Sequence, residues 1–334
     1  MNCLVTGGGG FLGASLAERL LADGYQVTVL GRRNYPALSS AIRQVRADLK
    51  DRSAIFDALQ GMDAVFHSAA VPGIWGPYSE YYKTNVEGTQ NIIDACLAHH
   101  IPRLIFTSSP SVIYDMEDQS CVDESVAFPN DYLCHYPKTK AMAEQLVSST
   151  DGRNGLRTIS IRPHLIWGPG DPHLVPRLIE KAQSGKLVQV GDGKNKVDMV
   201  YIDNAVECHV LAERVLRSDP DKVGGKAYFV SDDRPVELWT WINDLLNALH
   251  LPTVEKSISF RTAYVLGLVA EGVYGFFKLK NEPPITRFVA GQLATDHYYD
   301  IRGARNDLGY SPIVTPDEGF VRLINYFNKF LATK

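Results

Sequence analysis

The chain opens with Leu4-Val5-Thr6-Gly7-Gly8-Gly9-Gly10-Phe11-Leu12-Gly13, in which an apolar run ends in four consecutive glycines. Apolar side chains at helical spacing follow, so the stretch predicts a strand, a tight turn and a helix. Gly7 permits the turn, Gly10 lets the backbone approach a ligand phosphate, and Gly13 lets the helix pack against the strand. The free N–H groups at the start of the helix then face an anion.

The composition is that of an ordinary soluble globular protein, with 334 residues of which 45% are hydrophobic and 22% charged. A net charge of −4 gives no reason to expect a nucleic acid as a partner. The five cysteines are scattered and include no C-x-x-C pair, which indicates reduced thiols in a cytoplasmic protein and no metal site. Because the first strand begins almost at residue 1, we expect no signal peptide.

Strand and helix patterns alternate along the first half of the chain, with strands predicted over residues 26–30, 63–67, 103–107 and 159–163. This alternation predicts an α/β fold with a Rossmann-type, doubly wound parallel sheet that binds ligands beyond the carboxyl ends of its strands. We expect a dinucleotide-binding domain over residues 1–164, to which residues 198–232 return. Residues 165–334 are expected to form a smaller, mainly helical substrate-binding lobe.

The second half of the chain does not continue the regular alternation of strand and helix patterns. Residues 164–172 are rich in Pro and Gly and are expected to form neither sheet nor helix. Strands are predicted over residues 197–202 and 228–231, and helices over residues 238–249, 262–279 and 318–331.

The end of the second strand indicates which cofactor is preferred. An acidic residue there binds the ribose hydroxyls of NAD, whereas a basic residue accommodates the 2′-phosphate of NADP. This chain has Gly31 followed by Arg32 and Arg33. Since the arginine fork suits a phosphate, we expect NADP(H) to be preferred over NAD(H). The alternative is that both arginines are merely solvated.

Other positions in this half suit the rest of a dinucleotide. Asp48 is placed to accept a hydrogen bond from the adenine amino group, although it could equally cap the helix that begins near residue 51. The small residues Ala69 and Ala70 follow a strand and would let a cofactor lie flat on the backbone.

A possible catalytic set comes from two further segments. Tyr136 and Lys140 are four residues apart in a predicted helix and therefore project from one face. A lysine ammonium one turn away favours the phenolate, so Lys140 is expected to lower the pKa of Tyr136 for acid–base work. Ser109 can hold a carbonyl oxygen in place, although Ser108 and Ser111 are close enough to be alternatives.

These motifs resemble those of the extended short-chain dehydrogenase/reductase superfamily, and within it the 3β-hydroxysteroid dehydrogenase branch. The motifs that carry the resemblance are Thr6-Gly7-Gly8-Gly9-Gly10-Phe11-Leu12-Gly13, Asp48-Leu49, Asn85-Val86-Glu87-Gly88-Thr89, Thr107-Ser108-Ser109, Tyr136-x-x-x-Lys140, Arg162-Pro163 and Tyr201-Ile202-Asp203-Asn204. Segments 73–78, 107–112 and 165–173 most specifically resemble bacterial reductases of 2-alkyl-3-oxoalkanoates in long-chain olefin biosynthesis.

The resemblance implies an NADPH-dependent reduction of a ketone on an apolar substrate held between the two lobes. It implies that Asn85 supports Lys140, that Pro163 and Ile166 line the nicotinamide, and that helices beginning near Asn85 and Tyr136 pair in a homodimer. The candidate cofactor contacts are then Gly7, Gly10, Phe11, Leu12, Arg32, Arg33, Asp48, Leu49, Ala69, Ala70, Thr107, Tyr136, Lys140, Pro163 and Ile166.

Three other functions share this pattern. The chain could also be a 3β-hydroxysteroid or sterol dehydrogenase, because a steroid or sterol substrate would fit an apolar cleft. Trp75 and Trp167 suit such an apolar substrate. Sugar-nucleotide epimerases and dehydratases usually have Asn where this chain has Leu165, which argues against them. A non-catalytic NADPH-binding regulator would tend to lose Tyr136 or Lys140.

Two features leave alternatives open. His135, His164 and His173 could meet a substrate carboxylate or could be structural. Residues 262–279 are apolar nearly all round, with Glu271 as the only charge before Lys278. This segment could be a buried helix, a lid over a long apolar substrate, or a peripheral contact with a membrane or a partner enzyme.

Overall fold

The computed structural model describes residues 1–332 of the chain. Its strands in chain order are β1 (Asn2–Thr6), β2 (Gln26–Gly31), β3 (Arg43–Arg46), β4 (Ala64–His67), β5 (Arg103–Thr107), β6 (Gln119–Val122), β7 (Arg157–Pro163), β8 (Ile166–Trp167), β9 (Gln189–Val190), β10 (Lys196–Val197), β11 (Val200–Tyr201), β12 (Ala227–Val230), β13 (Val236–Glu237), β14 (Ser257–Ile258) and β15 (His297–Tyr299). Its α-helices are α1 (Phe11–Ala22), α2 (Arg52–Leu59), α3 (Tyr78–Tyr81), α4 (Gly88–Ala98), α5 (His135–Ser149), α6 (Leu174–Gln183), α7 (Ile202–Ser218), α8 (Pro220–Val223), α9 (Leu238–Ala248), α10 (Phe260–Phe276), α11 (Arg287–Gln292), α12 (Arg302–Leu308) and α13 (Pro316–Ala332).

A seven-stranded sheet in the order β12-β7-β5-β4-β1-β2-β3 forms the centre of the molecule. Every neighbouring pair in it is parallel. The strand order reverses between β1 and β4, so the loops that follow these two strands diverge and open a crevice at their carboxyl ends. The predicted doubly wound parallel sheet is therefore confirmed.

The core lies on both faces of this sheet. Leu4 and Val5 are neighbours in β1, and both are fully buried, but they belong to two separate hydrophobic clusters. Successive side chains of a strand point to opposite faces, so each cluster is covered by its own layer of helices. Parallel strands read as continuous apolar runs for this reason, which is why the N-terminal run was recognisable.

The C-terminal part is mainly helical and carries a second, four-stranded sheet in the order β13-β10-β15-β6. β6 lies in the N-terminal half of the chain, yet it pairs in parallel with β15. Conversely, β12 lies late in the chain and pairs with β7 at the edge of the central sheet. The chain therefore passes between the two parts more than once.

Two predictions for the region after residue 163 are wrong in detail, and one helix there was not predicted. Residues 164–172 were expected to be irregular, but they contain β8, which pairs with β11. Residues 197–202 form the end of one short strand and all of another, because the backbone turns between β10 and β11. Ile202 already begins the 17-residue helix α7, which the sequence analysis did not identify.

Helix α10 is on the surface, so one of the three alternatives for residues 262–279, a buried helix, is wrong. Ala263 and Gly267 are its only buried residues. Large apolar side chains cover its outer face. The exposed ones in α10 and in the turn that follows it are Val265, Leu266, Leu268, Val269, Val273, Phe276, Phe277 and Leu279. Across residues 1–332, none of the helices has the length and apolarity needed to cross a membrane.

Candidate active site

The glycine-rich turn joins β1 to α1 at the crevice between β1 and β4. Gly7 has a φ of 71°, a left-handed conformation that favours glycine. A Cβ on Gly7 would lie 2.9 Å from the Cα of Ala69, and a Cβ on Gly13 would overlap the carbonyl oxygen of Gly7. Gly10 caps α1 with an ordinary φ of −86° and without a side-chain hydrogen bond. The N–H groups at this end of α1 are thus left for a ligand.

The loop after β4 is fixed against this turn. The Ser68 hydroxyl donates to the Thr6 carbonyl at 2.7 Å, and the Ala69 N–H donates to the Thr6 hydroxyl at 3.1 Å. Ala69 and Ala70 are half-buried, as is Phe11, whereas Leu12 is buried. The predicted contacts from β1, α1 and this loop therefore lie around one narrow crevice with little side-chain volume.

The residues after β2 are open to solvent. Arg32 and Arg33 are exposed, and neither has an ion-pair partner anywhere in the described chain. Both guanidinium groups are therefore available to bind an anionic group.

Asp48 and Leu49 lie at the end of β3. Asp48 accepts a hydrogen bond from the backbone N–H of Lys50 at 3.0 Å. The alternative that Asp48 caps the next helix is wrong, because Asp51 caps α2 through the Ala54 N–H. Leu49 is buried, and a Cβ on Gly88 would lie 2.8 Å from the Leu49 Cβ. Leu49 therefore packs against the start of α4.

The three expected catalytic residues meet beyond the end of β5. Tyr136 and Lys140 lie one turn apart in α5, which begins at His135. The side chain of Ser109, two residues beyond β5, lies next to the Tyr136 phenol and acts to lower its pKa. The structure thus brings a phenol, a hydroxyl and an ammonium together at the carboxyl edge of the sheet.

The prediction that Lys140 lowers the pKa of Tyr136 is wrong for this structure. Burial raises the pKa of Tyr136 to about 12, although the neighbouring Ser109 hydroxyl opposes this shift. Lys140 directs its ammonium elsewhere: Nζ donates to the Thr107 carbonyl at 2.5 Å. Tyr136 is therefore held as a neutral phenol, which is the form that can donate a proton.

Lys140 is almost completely buried. Its Nζ lies 3.9 Å from the centre of the Phe106 ring, a cation–π contact. Burial lowers the pKa of Lys140 to about 7, while the nearby Glu144 carboxylate acts in the opposite direction. Lys140 therefore gains or loses its charge near neutral pH.

The three candidate serines differ in their surroundings. The Ser109 and Ser111 hydroxyl oxygens are 2.9 Å apart, so these two side chains form one pair beside Tyr136. The Ser108 hydroxyl is buried and has no hydrogen-bond partner in the described chain. Ser109 is the one that contacts Tyr136.

Asn85 lies in a π-helical turn, Tyr82–Glu87, between α3 and α4. Its side chain accepts from the Val71 N–H at 2.8 Å and donates to the Thr139 hydroxyl at 3.0 Å. Asn85 therefore ties the loop after β4 to α5 next to Lys140, without bonding Lys140 itself. π-Helical turns are frequent at functional sites.

Two buried histidines support the site and were not predicted. His209 of α7 donates from Nδ1 to the Ala205 carbonyl, so its Nε2 accepts from the Thr107 hydroxyl at 2.9 Å. His67 lies between the hydroxyls of Thr6 and Thr89 at 2.7 and 3.0 Å. Burial lowers the pKa of His67 to about 3 and that of His209 to about 4. Both are neutral links between the strand ends and the helices.

Pro163 ends β7 and is buried, while Ile166 in β8 is half-buried. Between them, His164 donates from Nε2 to Nδ1 of His297 at 2.6 Å, since Nε2 of His297 donates to the Gln292 carbonyl. Burial holds the pKa of His164 well below its usual value. His164 is therefore a neutral structural residue and provides no cation for a carboxylate.

The two tryptophans expected to line an apolar cleft have different surroundings. Trp167 is 1% exposed and donates to Asp232, so it is a core residue. Trp75 is half-buried in the loop after β4, donates to the Leu279 carbonyl at 3.1 Å and packs edge-on against Tyr274 of α10. Trp75 therefore links the active-site loop to α10. Within residues 1–332, no cluster of His, Cys, Asp or Glu is arranged to hold a metal ion.

Several known proteins resemble this chain over nearly its full length. The model of the 3-beta hydroxysteroid dehydrogenase/isomerase family matches residues 4–261. A 2-alkyl-3-oxoalkanoate reductase of Stenotrophomonas maltophilia (strain K279a) is 46% identical over 97% of this chain and 98% of its own length. Human sterol-4-alpha-carboxylate 3-dehydrogenase, decarboxylating, is 34% identical over 100% of this chain and 90% of its own length.

Among solved structures, UDP-glucuronic acid 4-epimerase from Bacillus cereus in complex with NAD has a TM-score of 0.75 at 21% identity. The match covers 99% of both chains. At this level of identity the likeness concerns the fold alone.

Proposed function

The chain belongs to the 3-beta hydroxysteroid dehydrogenase/isomerase family of extended short-chain dehydrogenases/reductases, and from this premise we propose that it is an NADPH-dependent reductase of 2-alkyl-3-oxoalkanoates. It is an oxidoreductase acting on CH–OH groups, as its named relatives are. The proposed reaction yields the 2-alkyl-3-hydroxyalkanoate. The observation that carries the ketone chemistry is the contact of Ser109 with Tyr136 beside the glycine-rich crevice.

Ser109 and Tyr136 supply the hydrogen bonds and the proton of this reaction. The Ser109 hydroxyl and the Tyr136 phenol would both bind the carbonyl oxygen at C3, since the two groups already contact each other. As the C3 carbon gains a hydride, the oxygen takes the phenol proton and becomes the alcohol. Tyr136 is left as a phenolate. Lys140 bonds the Thr107 carbonyl while Tyr136 is a neutral phenol, and its charge one helical turn away would stabilise the phenolate once the proton has been donated. Thr107 and Asn85 position Lys140 and its helix.

A bound nicotinamide dinucleotide supplies the hydride. The residues present fit such a group, because Gly7 and Gly13 let the turn pack directly against Ala69 and the start of α1 and the N–H groups of α1 face the crevice. Pro163 and Ile166 lie beside the catalytic edge and would line the nicotinamide. Arg32 and Arg33 are unpaired and would bind a 2′-phosphate, which supports NADPH over NADH.

The names of the two relatives support a common substrate class. A 2-alkyl-3-oxoalkanoate has its oxygenated carbon one position from the carbon that bears the carboxylate. A sterol-4-carboxylate oxidised at C3 has the same relationship between oxygen and carboxylate. We therefore propose a β-oxo or β-hydroxy carboxylate with large apolar substituents as the substrate of this chain.

Sterol oxidation is the second candidate, because the human relative aligns with the entire chain at 34% identity. The bacterial reductase is preferred as a guide since its identity is 46%. A sugar nucleotide is disfavoured by the apolar Leu165 after β7. Side-by-side assays test the choice, with NADPH oxidation measured for a branched β-oxo acid and a 3-oxosteroid and formation of a new sugar nucleotide measured for a UDP-sugar. Fastest turnover of the steroid or the sugar nucleotide would overturn it.

We further propose a homodimer formed through the helical run 78–98 and α5. Tyr78 is 37% exposed on this surface and packs against the rings of Tyr82 and His135. Exposed aromatic side chains of this kind are enriched at protein interfaces. Sedimentation of wild type against Tyr78→Glu tests the proposal, since the variant is expected to sediment as a smaller species.

The outer face of α10 supports a peripheral contact with a lipid surface. Its only acidic residue, Glu271, is turned inward and bonded to Arg287 at 2.7 Å, so the outer face is uncharged. Arg261 precedes this face, and Lys278 and Lys280 follow it, all exposed. An apolar helix face with cationic ends is complementary to an anionic lipid surface. Because Trp75 connects α10 to the active-site loop, this contact would place the site near a source of apolar substrate.

A further inference from the structure

The ring of Tyr35 spans the gap between the glycine-rich turn and the end of β2. A Cβ built on Gly9 would overlap this ring, and a Cβ built on Gly31 would overlap the phenolic hydroxyl. Gly31 is the position at which nucleotide-binding folds discriminate a ribose hydroxyl from a 2′-phosphate. Tyr35 thus occupies the space into which an acidic side chain at position 31 would project.

Tyr35 is held in this place by β3. Its backbone N–H donates to Oε1 of Gln44 at 2.8 Å, and its carbonyl accepts from Nε2 of Gln44 at 3.1 Å. Gln44 is itself registered with Val29 in the central sheet. The backbone of Tyr35 is therefore held against β3. Its half-buried ring lies between Gly9 and Gly31, and its hydroxyl has no hydrogen-bond partner among residues 1–332.

Arg46 lies on the same side of the sheet as the Tyr35 hydroxyl. The register of β2 and β3 pairs Gly31 with Arg46, and paired residues on neighbouring strands direct their side chains to the same face. Arg46 is exposed, and no acidic side chain forms an ion pair with it within residues 1–332. A cation and a free hydroxyl donor therefore flank the end of β2.

We infer that Tyr35 and Arg46 are specificity-determining residues that select a nucleotide carrying a 2′-phosphate. The Tyr35 side chain occupies the space that a carboxylate side chain at position 31 would need. Its free hydroxyl donates a hydrogen bond to the phosphate. Arg46 adds a positive charge on the same face, next to Arg32 and Arg33. The inference rests on the proposed function, since it takes dinucleotide binding at this crevice as given.

Calorimetric titration with 2′,5′-ADP and with 5′-AMP tests the inference without any turnover, because the two probes differ only in the 2′-phosphate. Tyr35→Phe and Arg46→Ala are each expected to weaken 2′,5′-ADP roughly tenfold and to leave 5′-AMP unchanged. Arg43→Ala is the matched control. Arg43 is an exposed residue of the same strand, registered with Thr28 and on the opposite face, so its loss should change neither affinity by more than about twofold.

The two proposals fail in different ways in this titration. Equal affinity of the wild type for both probes would overturn the preference for NADPH. Preference of the wild type for 2′,5′-ADP, with Tyr35→Phe and Arg46→Ala unchanged, would overturn this inference alone. An equal loss of affinity for 2′,5′-ADP in Arg43→Ala would also overturn it. The loss would then come from the removal of a positive charge anywhere on this strand and not from a contact with the phosphate.

A second pair of variants tests the exclusion of a carboxylate. Gly31→Asp is expected to lower the melting temperature, because Tyr35 occupies the space of the new side chain. Gly31→Asp combined with Tyr35→Ala should recover that stability and bind NADH more tightly than NADPH. A stable Gly31→Asp single variant with a preference for NADH would contradict the role given to Tyr35.

Discussion

Nζ of Lys140 lies 2.5 Å from the carbonyl oxygen of Thr107, the last residue of β5. This bond ties the first turns of α5 to the edge of the sheet at which Ser109 contacts Tyr136. Lys140 is therefore a structural link as well as a charged group. Its two roles have separable consequences for turnover and for stability.

Replacing Tyr136 with Phe should remove the proton donor and keep the ring. We expect turnover of a branched β-oxo acid to fall at least about a hundredfold, as for other losses of a general acid, with little change in NADPH affinity. Tyr78→Phe is the control, because its hydroxyl reaches only Sδ of Met142 at 3.8 Å. Undiminished turnover of Tyr136→Phe would show that Tyr136 is only a residue of α5.

The rate of ketone reduction should fall as pH rises through about 7. Burial lowers the pKa of Lys140 to about 7, and the neutral amine no longer stabilises the phenolate left by proton donation. The pKa of Tyr136 is about 12, so the proton donor itself stays protonated. A profile of kcat against pH should show this inflection in the wild type and lose it in Lys140→Met.

The control for this profile is Asp198, whose pKa burial raises to about 7. Asp198→Asn should keep the inflection if Lys140 causes it. An inflection that persists in Lys140→Met and disappears in Asp198→Asn would assign it to the carboxyl group.

Lys140→Met should also make the fold more stable at low pH. Because the folded pKa of Lys140 lies below its ordinary 10.5, the unfolded chain binds the extra proton between about pH 7 and 10.5. The contribution of Lys140 to the free energy of unfolding therefore rises with pH over this window and is least favourable below it. We expect the melting temperature of the variant to exceed that of the wild type by roughly 3 °C near pH 6, with a smaller difference above about pH 9. A lower melting temperature near pH 6 would mean that the bond to Thr107 outweighs the buried charge.

The wild-type protein should sediment with vesicles that contain an anionic phospholipid. Val269→Asp in α10 should reduce the bound fraction at least about fivefold, since it places a charge in the apolar face. Val321→Asp is the matched control, because Val321 of α13 is 59% exposed and Val269 is 58% exposed. Absence of wild-type binding, or equal loss in the control, would contradict a lipid contact through α10. If substrate and NADP protect α10 from hydrogen exchange in the absence of vesicles, α10 is better described as a lid over the substrate.

The N-terminal half of the fold could be predicted because its signals are local. Strand, glycine turn and helix follow one another between Leu4 and Ala22, and the period of each pattern is visible in the sequence. β5 has the predicted bounds, Arg103–Thr107. Tyr136 and Lys140 could be paired because their spacing lies within one helix.

Features that depend on tertiary packing could not be predicted in this way. α7 carries a periodic pattern from Ile202 through Val206 and Val210, and this signal could have been used. The bond between Thr107 and His209 joins residues 102 positions apart, so no local pattern indicates it. The ring of Tyr35 against Gly31 depends on the register of β3. The exposure of α10 is likewise decided by what packs against it, since its composition is that of a buried helix.

Transfer of deuterium from NADPH deuterated at the reactive carbon of its nicotinamide tests the central claim most directly. We predict that a 2-alkyl-3-oxoalkanoate incubated with the wild-type protein gives the 2-alkyl-3-hydroxyalkanoate with one deuterium on C3, and that Tyr136→Phe gives almost none in the same time. NADPH oxidation without deuterium on C3, or no reaction with this acid while a 3-oxosteroid or a UDP-sugar is converted, would contradict the account.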